Sequence, residues 1–284
     1  MTTKKKSGKK KISLSITKSF PSLSDKTKVH IVNPYISQPL HPVSVLIIGA
    51  GGNGSAMLTR LARIHSCLIQ LGHPGLFIQI MDNDKVERFN IGRQMYSNSD
   101  IGKYKSTVII ERVNRFFGTN FISFPERLNT VQELDDMSHN LIISCVDNNA
   151  TRKMINDFTK LKISKSDHRE VPFYWIDMGN GKNRGQFNMS TMHKSKKNTS
   201  NETYNYVANL KSLIDIYGQQ ADDPDEPSCS MEESLRKQDL FVNDLLTTYV
   251  SNFLWKILHK PTIIQYQGMF LNFETNIHSE ILIK

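Results

Sequence analysis

The residues with the clearest chemical potential lie between Val45 and Lys105. A glycine-rich segment, Gly49-Ala50-Gly51-Gly52-Asn53-Gly54-Ser55, is followed by a polar set of carboxylates, amides and cations. That set consists of Asp82, Asp84, Asn90, Arg93, Gln94 and Lys105. A glycine turn that opens a helix lets backbone N–H groups approach a phosphate. Because two cations and an amide beside such a turn suit a triphosphate, the segment predicts ATP chemistry.

Two carboxylates, Asp82 of this set and Asp147, each follow an apolar run typical of a buried strand. Asp82 ends the run 76–81, and Asp147 ends the run 141–146. At the first position a carboxylate can accept hydrogen bonds from ribose hydroxyls, in NAD and ATP alike. Asp147 is expected to face the same crevice, where one carboxylate with phosphate oxygens and waters can bind Mg²⁺. Its alternative role is to cap the helix that begins near Thr151.

Apolar runs and helical spacing alternate along the chain, which is typical of an α/β fold. Strands are predicted at 43–48, 76–81, 141–146 and 173–178, and helices at 55–71, 106–117 and 151–161. This order predicts a Rossmann-like, doubly wound, mostly parallel sheet with ligands at the carboxyl ends of the strands. A helix over 231–258 and a strand over 262–273 are expected as a C-terminal extension.

The composition changes at three places and predicts the organisation of the chain. Residues 1–42 are expected to form a basic tail and an extended N-terminal arm, 43–185 a nucleotide-binding core, 186–230 a flexible crossover loop, and 231–284 the C-terminal extension; together, 43–284 form one adenylation domain. Six lysines within 1–11 account for most of the net charge, which falls from +9 to +3 without them. We expect this tail to be solvated and disordered, with nucleic-acid or acidic-surface contact as the alternative.

The cysteine pattern and the hydropathy exclude two classes of site. None of the three cysteines, Cys67, Cys145 and Cys229, belongs to a Cys-x-x-Cys pair, so no zinc site built from two such pairs is expected. Cys67 and Cys145 lie in apolar runs and are expected to pack as small hydrophobic side chains. No apolar stretch reaches the roughly 18 to 20 residues of a membrane span, so a cytoplasmic protein without a membrane partner is expected.

Five strings of residues together resemble the ThiF family, the adenylating relatives of ubiquitin-activating enzymes. They are Gly-Ala-Gly-Gly-Asn-Gly-Ser, Asp82-x-Asp84-x-Val86, Asn90-x-x-Arg93-Gln94, Ile101-Gly102-x-x-Lys105 and Cys145-Val146-Asp147-Asn148-x-x-x-Arg152. The resemblance covers about 43–185. Four shorter strings are similar to the ThiF branch of the plasmid-borne PRTRC system. They are His73-Pro74-Gly75, Asn114-Arg115-Phe116-Phe117-Gly118, Pro227-Ser228-Cys229-Ser230 and Gln238-Asp239-Leu240-Phe241.

This resemblance implies a specific reaction and specific partners. A homodimer would use ATP and Mg²⁺ to adenylate the C-terminal glycine carboxylate of a small ubiquitin-like protein. Asp82 would hold the ribose, Asp147 would bind Mg²⁺, and the remaining positions would contact the phosphates or line the pocket. Asn90, Arg93 and Lys105 are the implied phosphate contacts, and Gln94 the implied lining residue.

The resemblance also implies a contact between subunits that this chain cannot make in the usual way. Homodimeric relatives supply an arginine from the N-terminal arm to the partner's phosphates, but the first arginine here is Arg60. Either a lysine replaces it, with Lys18, Lys26 and Lys28 as candidates, or the contact is missing.

Cys229 is a candidate nucleophile because the string from Pro227 to Ser230 resembles the Pro-x-Cys-Thr/Ser segment of ubiquitin-activating enzymes. Ser230 and Glu233 form a capping-box pattern, which would place the thiol at a helix start that favours thiolate. Six nearby carboxylates act in the opposite direction by disfavouring another negative charge. The alternatives are a thioester-forming residue and a structural cysteine.

Two other functions compete with adenylation. A nicotinamide or flavin oxidoreductase would use the glycine turn, but would leave Arg93, Lys105 and Asp147 without a role. A non-catalytic nucleotide-binding scaffold of a plasmid-maintenance system would bind ATP without turning it over.

Overall fold

The computed structural model of the protein describes residues 27–137, 139–161, 171–193, 204–218 and 238–284. Eleven strands and seven helices lie within these ranges, apart from two short 3-10 turns. The strands are β1 (Lys28–Ile31), β2 (Val43–Ile48), β3 (Leu76–Met81), β4 (Ile122–Phe124), β5 (Leu141–Ser144), β6 (Tyr174–Asn180), β7 (Arg184–Thr191), β8 (Asn205–Tyr206), β9 (Ile263–Ile264), β10 (Tyr266–Asn272) and β11 (Ile277–Leu282). The helices are α1 (Pro34–Ser37), α2 (Gly52–Gln70), α3 (Lys105–Phe117), α4 (Val131–Asp136), α5 (Asn149–Phe158), α6 (Leu213–Tyr217) and α7 (Val242–Leu258).

An eight-stranded sheet forms the centre of the fold, in the order β11-β10-β7-β6-β5-β2-β3-β4. Strands β4, β3, β2, β5 and β6 are parallel, and β7, β10 and β11 add antiparallel strands to one side. The chain moves outward from β2 to β4 and then returns to the other side of β2 for β5. This reversal between β2 and β5 creates the crevice where doubly wound folds bind their ligands. The Rossmann-like, mostly parallel sheet predicted from the sequence is confirmed.

Both faces of the sheet are covered, which explains why β2 is apolar apart from Ser44. Val45 and Ile47 face the cluster that contains α2, α3 and α7, whereas Leu46 and Ile48 face the cluster that contains α4 and α5. Every residue of β2 is buried. A strand with two covered faces loses the usual polar alternation, so Ser44 is the one polar residue of β2, and its N–H donates to the side chain of Asn140.

Element boundaries follow the sequence closely where the apolar pattern is continuous. The predicted strands at 43–48 and 76–81 match β2 and β3. Helix α2 begins at Gly52, three residues before the predicted start, because the glycine turn itself forms the first helical turn. Strand β5 ends at Ser144, which leaves Cys145, Val146 and Asp147 in the loop that enters the crevice.

The region after Gly185 departs from the prediction of a flexible loop over 186–230. Residues 186–191 belong to β7, which lies inside the central sheet between β6 and β10. The sequence hides this strand because two of its buried residues, Asn188 and Ser190, are polar. Gln267 donates to Asn188 Oδ1 at 2.7 Å, and Asn188 donates to the carbonyl of Lys211 at 3.1 Å, so the buried amide is satisfied by distant residues.

Both ends of the described chain contain structure beyond what was predicted. The N-terminal arm contributes β1 to a small sheet, β8-β1-β9, and one helical turn, α1. The strand predicted at 262–273 divides into β9 and β10, and β11 pairs with β10 as an unpredicted edge strand. The predicted helix at 231–258 corresponds to α7 from Val242 onward, since 238–241 are not helical and 231–237 lie outside the described residues. The lysine tail also lies outside them.

No helix in the described ranges has the length and apolar character needed to cross a membrane.

The C-terminal hairpin provides a direct test of the fold. Ile281 is 2% exposed, whereas its neighbour Leu282 on the other face of β11 is 60% exposed. Ile281→Ala should lower the free energy of unfolding by about 2 to 4 kcal/mol, because it removes buried methyl groups. Leu282→Ala should change it by less than about 0.5 kcal/mol. Urea denaturation of both variants measures the difference, and equal losses would contradict this pairing of β11 with the sheet.

Candidate nucleotide-binding site

Three parallel strands, β2, β3 and β5, end in register at the same edge of the sheet. Ile48 lies opposite Met81 on one side and Ser144 on the other. The glycine turn, Asp82 and the loop 145–147 therefore start side by side at the carboxyl ends of β2, β3 and β5. The sequence predicted this meeting of the three segments, and the strand register confirms it.

The glycines of the turn serve two different purposes. A Cβ on Gly54 would lie 1.8 Å from the carbonyl oxygen of Gly49, and a Cβ on Gly49 would lie 2.8 Å from the carbonyl oxygen of Cys145. Gly49 also has φ +96°, which glycine adopts far more readily than other residues. At Gly51, by contrast, a Cβ would meet no atom within 4 Å. Gly49 and Gly54 therefore allow close backbone packing, while Gly51 borders open space.

The N-terminus of α2 is an anion-binding element. Its N-cap, Gly51, provides no side-chain cap for the first-turn N–H groups, which have no partners within a helix. These groups and the helix dipole favour a phosphate at this end. Ser55 is fully buried, and its hydroxyl donates to the carbonyl of Gly51 at 2.7 Å. A ligand role for the Ser55 side chain would require that hydroxyl to turn away from Gly51.

Asp82 ties the glycine turn to the end of β3. Its carboxylate accepts the N–H of Ala50 at 2.5 Å and the N–H of Asp84 at 2.7 Å. Burial raises the pKa of Asp82, while these two N–H groups and the charge of Lys105 act in the opposite direction. Each carboxylate oxygen retains a second lone pair, so the same group can still accept a hydrogen bond from a ribose hydroxyl.

Lys105 reaches the site through an ion pair with Asp84. Its ammonium lies 3.0 Å from the Asp84 carboxylate, and the two side chains are 10% and 64% exposed, respectively. The backbone N–H of Lys105 also donates to the carbonyl of Asp84 at 2.8 Å. Because Asp84 is well solvated, transfer of the ammonium from Asp84 to a phosphate would leave no buried carboxylate unpaired.

Asn90 and Gln94 belong to the loop that carries Arg93. Asn90 is 1% exposed, and its side-chain oxygen accepts the N–H of Glu87 at 2.8 Å. The carbonyl of Asn90 accepts the N–H of Gln94 at 2.9 Å, which closes the turn around Arg93. The buried Oε1 of Gln94 has no hydrogen-bond partner among the described residues. Gln94 also lines a cavity of about 130 Å³ beside Gly52, so a ligand donor could complete its bonding there.

Arg93 also lines that cavity, and a distant segment of the chain contacts its side chain. Its Nη1 donates to Oε1 of Gln238 at 2.6 Å, and Gln238 exchanges amide contacts of 3.3 and 3.4 Å with Asn243. Asn243 lies at the start of α7 and covers Gly52, where a Cβ would come within 2.2 Å of its side-chain nitrogen. The sequence prediction of the site includes neither Gln238 nor Asn243, because Gln238 lies 145 positions from Arg93 and Asn243 lies still farther along the chain from Gly52.

Asp147 is exposed at the end of the β5 loop, as expected for a metal-binding carboxylate at the crevice. The alternative of a helix cap is wrong, because Asn148 is the N-cap of α5 and accepts the N–H of Thr151 at 2.9 Å. Asn148 also donates to Asp147 at 3.4 Å. One open carboxylate fits Mg²⁺ that takes its other ligands from phosphates and water. No group of three or more His, Cys, Asp or Glu side chains suited to a metal occurs among the described residues.

A buried polar network that sequence reasoning missed fixes the ends of β5 and β6. Arg152 forms an ion pair with Asp177 at 3.1 Å and donates to the carbonyls of Val146 and Met178. Asp177 accepts the hydroxyl of Ser144 at 2.7 Å. The available signal was an aspartate within the apolar run 173–178, since a buried carboxylate requires a partner. The network positions the loop that carries Asp147.

A second long-range contact joins the glycine turn to the turn between β6 and β7. Asn53 donates to the side chain of Asn180 at 2.6 Å. Beyond this turn lies an open cleft of about 620 Å³. Lys182, Asp239, Leu240, Phe241, Phe273 and Glu274 are among its lining residues. Leu240 and Phe241 also line the small cavity beside Gly52, so the cleft and the nucleotide turn are neighbours.

The predictions for the cysteines and for the lysines of the N-terminal arm compare differently with the structure. Cys67 is exposed on α2, so its prediction as a packed residue is wrong: its position lies on the solvent side of the helix. Cys145 packs near Met178, and burial together with the charge of Asp177 raises its thiol pKa. Lys28 is exposed at the start of β1. Cys229, Lys18 and Lys26 lie outside the described residues.

Comparisons with known proteins agree on the fold. The sequence profile of the ThiF family matches residues 24–278. No curated protein sequence matches the chain. Among solved structures, PaaA is 17% identical with a TM-score of 0.55, over 85% of this chain and 64% of PaaA. E. coli MccB is similar in its structure with ATP (16% identity, TM-score 0.54) and in its structure with MccA (15% identity, TM-score 0.55). Each comparison with MccB covers 86% of this chain and 64% of MccB, so the chain spans less than two thirds of the length of these neighbours.

The packing of the glycine turn predicts opposite outcomes at two neighbouring glycines. Gly54→Ala should lower the free energy of unfolding by about 3 kcal/mol, because the added methyl group would force two backbone segments apart. Gly51→Ala should lower it by about 1 kcal/mol or less, since the methyl group enters open space and the loss is limited to a poorer N-cap for α2. Thermal and urea denaturation of the two variants provide the comparison. A Gly54→Ala protein as stable as wild type would contradict the close contact.

Proposed function

Because the chain belongs to the ThiF family, we propose that it adenylates a polypeptide C-terminal carboxylate with ATP in the cytoplasm. The observation that carries this proposal is the arrangement of charge around the glycine turn. Arg93 and Lys105 lie on the loop and helix that follow β3, while Asp147 follows β5 at the same edge of the sheet. A dinucleotide oxidoreductase needs the turn and Asp82, but has no use for these three charges.

The proposed reaction is a displacement at the α-phosphorus of ATP. A carboxylate oxygen of the polypeptide attacks that phosphorus, the bond to the bridging β-phosphate oxygen breaks, and pyrophosphate leaves with the bonding electrons. The products are the acyl adenylate and pyrophosphate, and no protein nucleophile is required. The protein contributes position and charge: the α2 N-terminus and Arg93 hold the phosphates, and Lys105 stabilises the departing charge.

Mg²⁺, when bound, would neutralise phosphate charge at this site. Asp147 is the residue proposed to hold it, and Asp82 is proposed to hold the ribose. The neutral Asn90 supports the loop on which Arg93 lies, and Gln94 offers its buried carbonyl oxygen to a donor of the ligand.

The substrate is proposed to be a small protein that ends in a flexible tail, with a ubiquitin-like protein ending in glycine as the expected partner. The open cleft of about 620 Å³ beside Leu240 and Phe241 adjoins the glycine turn and is the proposed site for the C-terminal segment of the substrate. Solved MccB structures contain ATP or MccA, which supports the pairing of a nucleotide with a peptide on this fold. We also propose that the protein is a homodimer and that it belongs to the PRTRC system.

The residues assigned to ATP can be tested by pyrophosphate exchange. Arg93→Ala and Asp147→Asn should each reduce carboxylate-dependent ATP–pyrophosphate exchange by about 100-fold or more, because each removes a charge that acts on the phosphates. Arg115→Ala, at the far end of α3, is the matched control and should leave exchange unchanged. The assay uses a panel of small proteins and peptides with free C-terminal carboxylates. Unchanged exchange in Arg93→Ala or Asp147→Asn would overturn the assigned roles.

The same preparation separates adenylation from the two competing functions. Titration with NADH should give no binding, whereas ATP with Mg²⁺ should bind. ATP binding without exchange, with every member of the panel, would favour a non-catalytic scaffold. Saturable NADH binding would favour an oxidoreductase.

In the second proposed step the thiolate of Cys229 attacks the acyl carbon of the adenylate, the bond from that carbon to the phosphate oxygen breaks, and AMP leaves, so that a thioester forms. Cys229→Ser should abolish a thiol-sensitive conjugate with the substrate and leave pyrophosphate exchange intact, because the adenylate forms before the cysteine acts. Intact-mass measurement with and without dithiothreitol detects the conjugate, and Cys67→Ser is the matched control. A reducible conjugate that persists in Cys229→Ser would exclude this nucleophile.

A further inference from the structure

Gln238 and Asn243 form a buried amide pair that contacts both Arg93 and the glycine turn. Gln238 is 9% exposed and Asn243 is 5% exposed. One oxygen, Oε1 of Gln238, accepts from Arg93 at 2.6 Å and from Asn243 at 3.3 Å. Asn243 in turn lies over Gly52 at the start of α2. The pair therefore bridges the loop after β3 and the first turn of the nucleotide-binding helix.

Hydrogen bonds also hold the backbone next to Gln238, so the position from which its side chain extends is defined. The N–H of Asp239 donates to the carbonyl of Lys182 at 2.9 Å, and the N–H of Val242 donates to the carbonyl of Asp239 at 3.3 Å. These bonds attach the segment to the β6–β7 turn on one side and to α7 on the other. Helix α7 packs along α2. The amide of Gln238 is therefore attached to a backbone segment that contacts on both sides hold in place.

The chemistry of this anchor suits a phosphate-binding arginine. A guanidinium has five N–H donors, so the bond to the amide oxygen of Gln238 uses one of them, restricts the orientation of the group and adds no negative charge beside it. A carboxylate at the same place would form an ion pair and reduce the field that Arg93 exerts on a phosphate. Arg152 shows the contrast, since it pairs with the carboxylate of Asp177 and stabilises the fold.

We propose that Gln238, braced by Asn243, is a positioning residue that holds Arg93 toward the triphosphate while preserving its charge. This inference rests on the proposed function, because it assigns Arg93 to the phosphates of ATP. Gln238 itself need not touch the nucleotide. Its contribution is geometric, through the orientation of the guanidinium, and electrostatic, through its own neutrality.

Two substitutions separate these contributions. Gln238→Leu removes the acceptor and should weaken binding of α,β-methylene-ATP with Mg²⁺ by about tenfold. Gln238→Glu retains an acceptor for Arg93 and should keep the melting temperature of the wild type, yet it should weaken analogue binding by at least as much. Gln70→Glu, at the opposite end of α2, adds the same charge and should have no effect. Isothermal titration calorimetry measures the affinities.

A double-mutant cycle tests whether Gln238 acts through Arg93. In an Arg93→Ala background, Gln238→Leu should change the affinity for the analogue by less than twofold, because the guanidinium that Gln238 orients is gone. Wild-type affinity in both Gln238 variants, or the same loss with and without Arg93, would overturn the inference alone. A wild-type protein that binds no analogue would overturn the proposed function as well.

Discussion

The close backbone contact between the glycine turn and the end of β5 determines where the other parts of the site lie. The space around Gly54 and Gly49 has no room for side chains, because each faces a carbonyl oxygen at less than normal contact distance from a Cβ. The N–H of Cys145 also donates to the carbonyl of Ile48 at 2.8 Å. The first turn of α2 is therefore pressed against the crevice between β2 and β5. Asp82 completes the arrangement by accepting the N–H of Ala50.

Three basic residues at this edge have partners of different kinds, and the partner indicates what each can do. Arg152 is bound to the carboxylate of Asp177, 8% exposed, and to two carbonyls, so it stabilises the strand ends. Lys105 pairs with the solvated Asp84, an interaction of the kind that contributes little to stability and can be exchanged for a phosphate. Arg93 donates to the neutral amide of Gln238, which in our proposal orients the guanidinium. Lys105 and Arg93 thus combine a defined place with an electrostatic field suited to a polyanion.

Sequence-based prediction was accurate for strands that a local apolar pattern determines, and it failed for strands that depend on contacts between residues far apart in the chain. Strands β2 and β3 were predicted to their terminal residues because each is an apolar run between turn residues, with a single polar residue, Ser44 or Gln79, inside it. Strand β7 was missed because Asn188 and Ser190 interrupt its apolar pattern, and the partners that satisfy Asn188 lie far along the chain. The edge strand β11 was missed for a related reason: five of its six residues are exposed, so burial imposes little pattern on it.

By itself the sequence determined the α/β class, the glycine turn, and the chemistry of the carboxylates and cations that follow β2, β3 and β5. These features depend on local periodicity and on short motifs, which neighbouring residues encode. Only the tertiary structure decided that Asn180 would contact Asn53 and that Gln238 and Asn243 would brace Arg93 against Gly52. Such contacts form because the packing of α7 on α2 and the pairing of β6 with β7 bring distant segments together. No local pattern specifies these contacts, because neighbouring residues do not reveal whether an asparagine or glutamine side chain is buried or exposed.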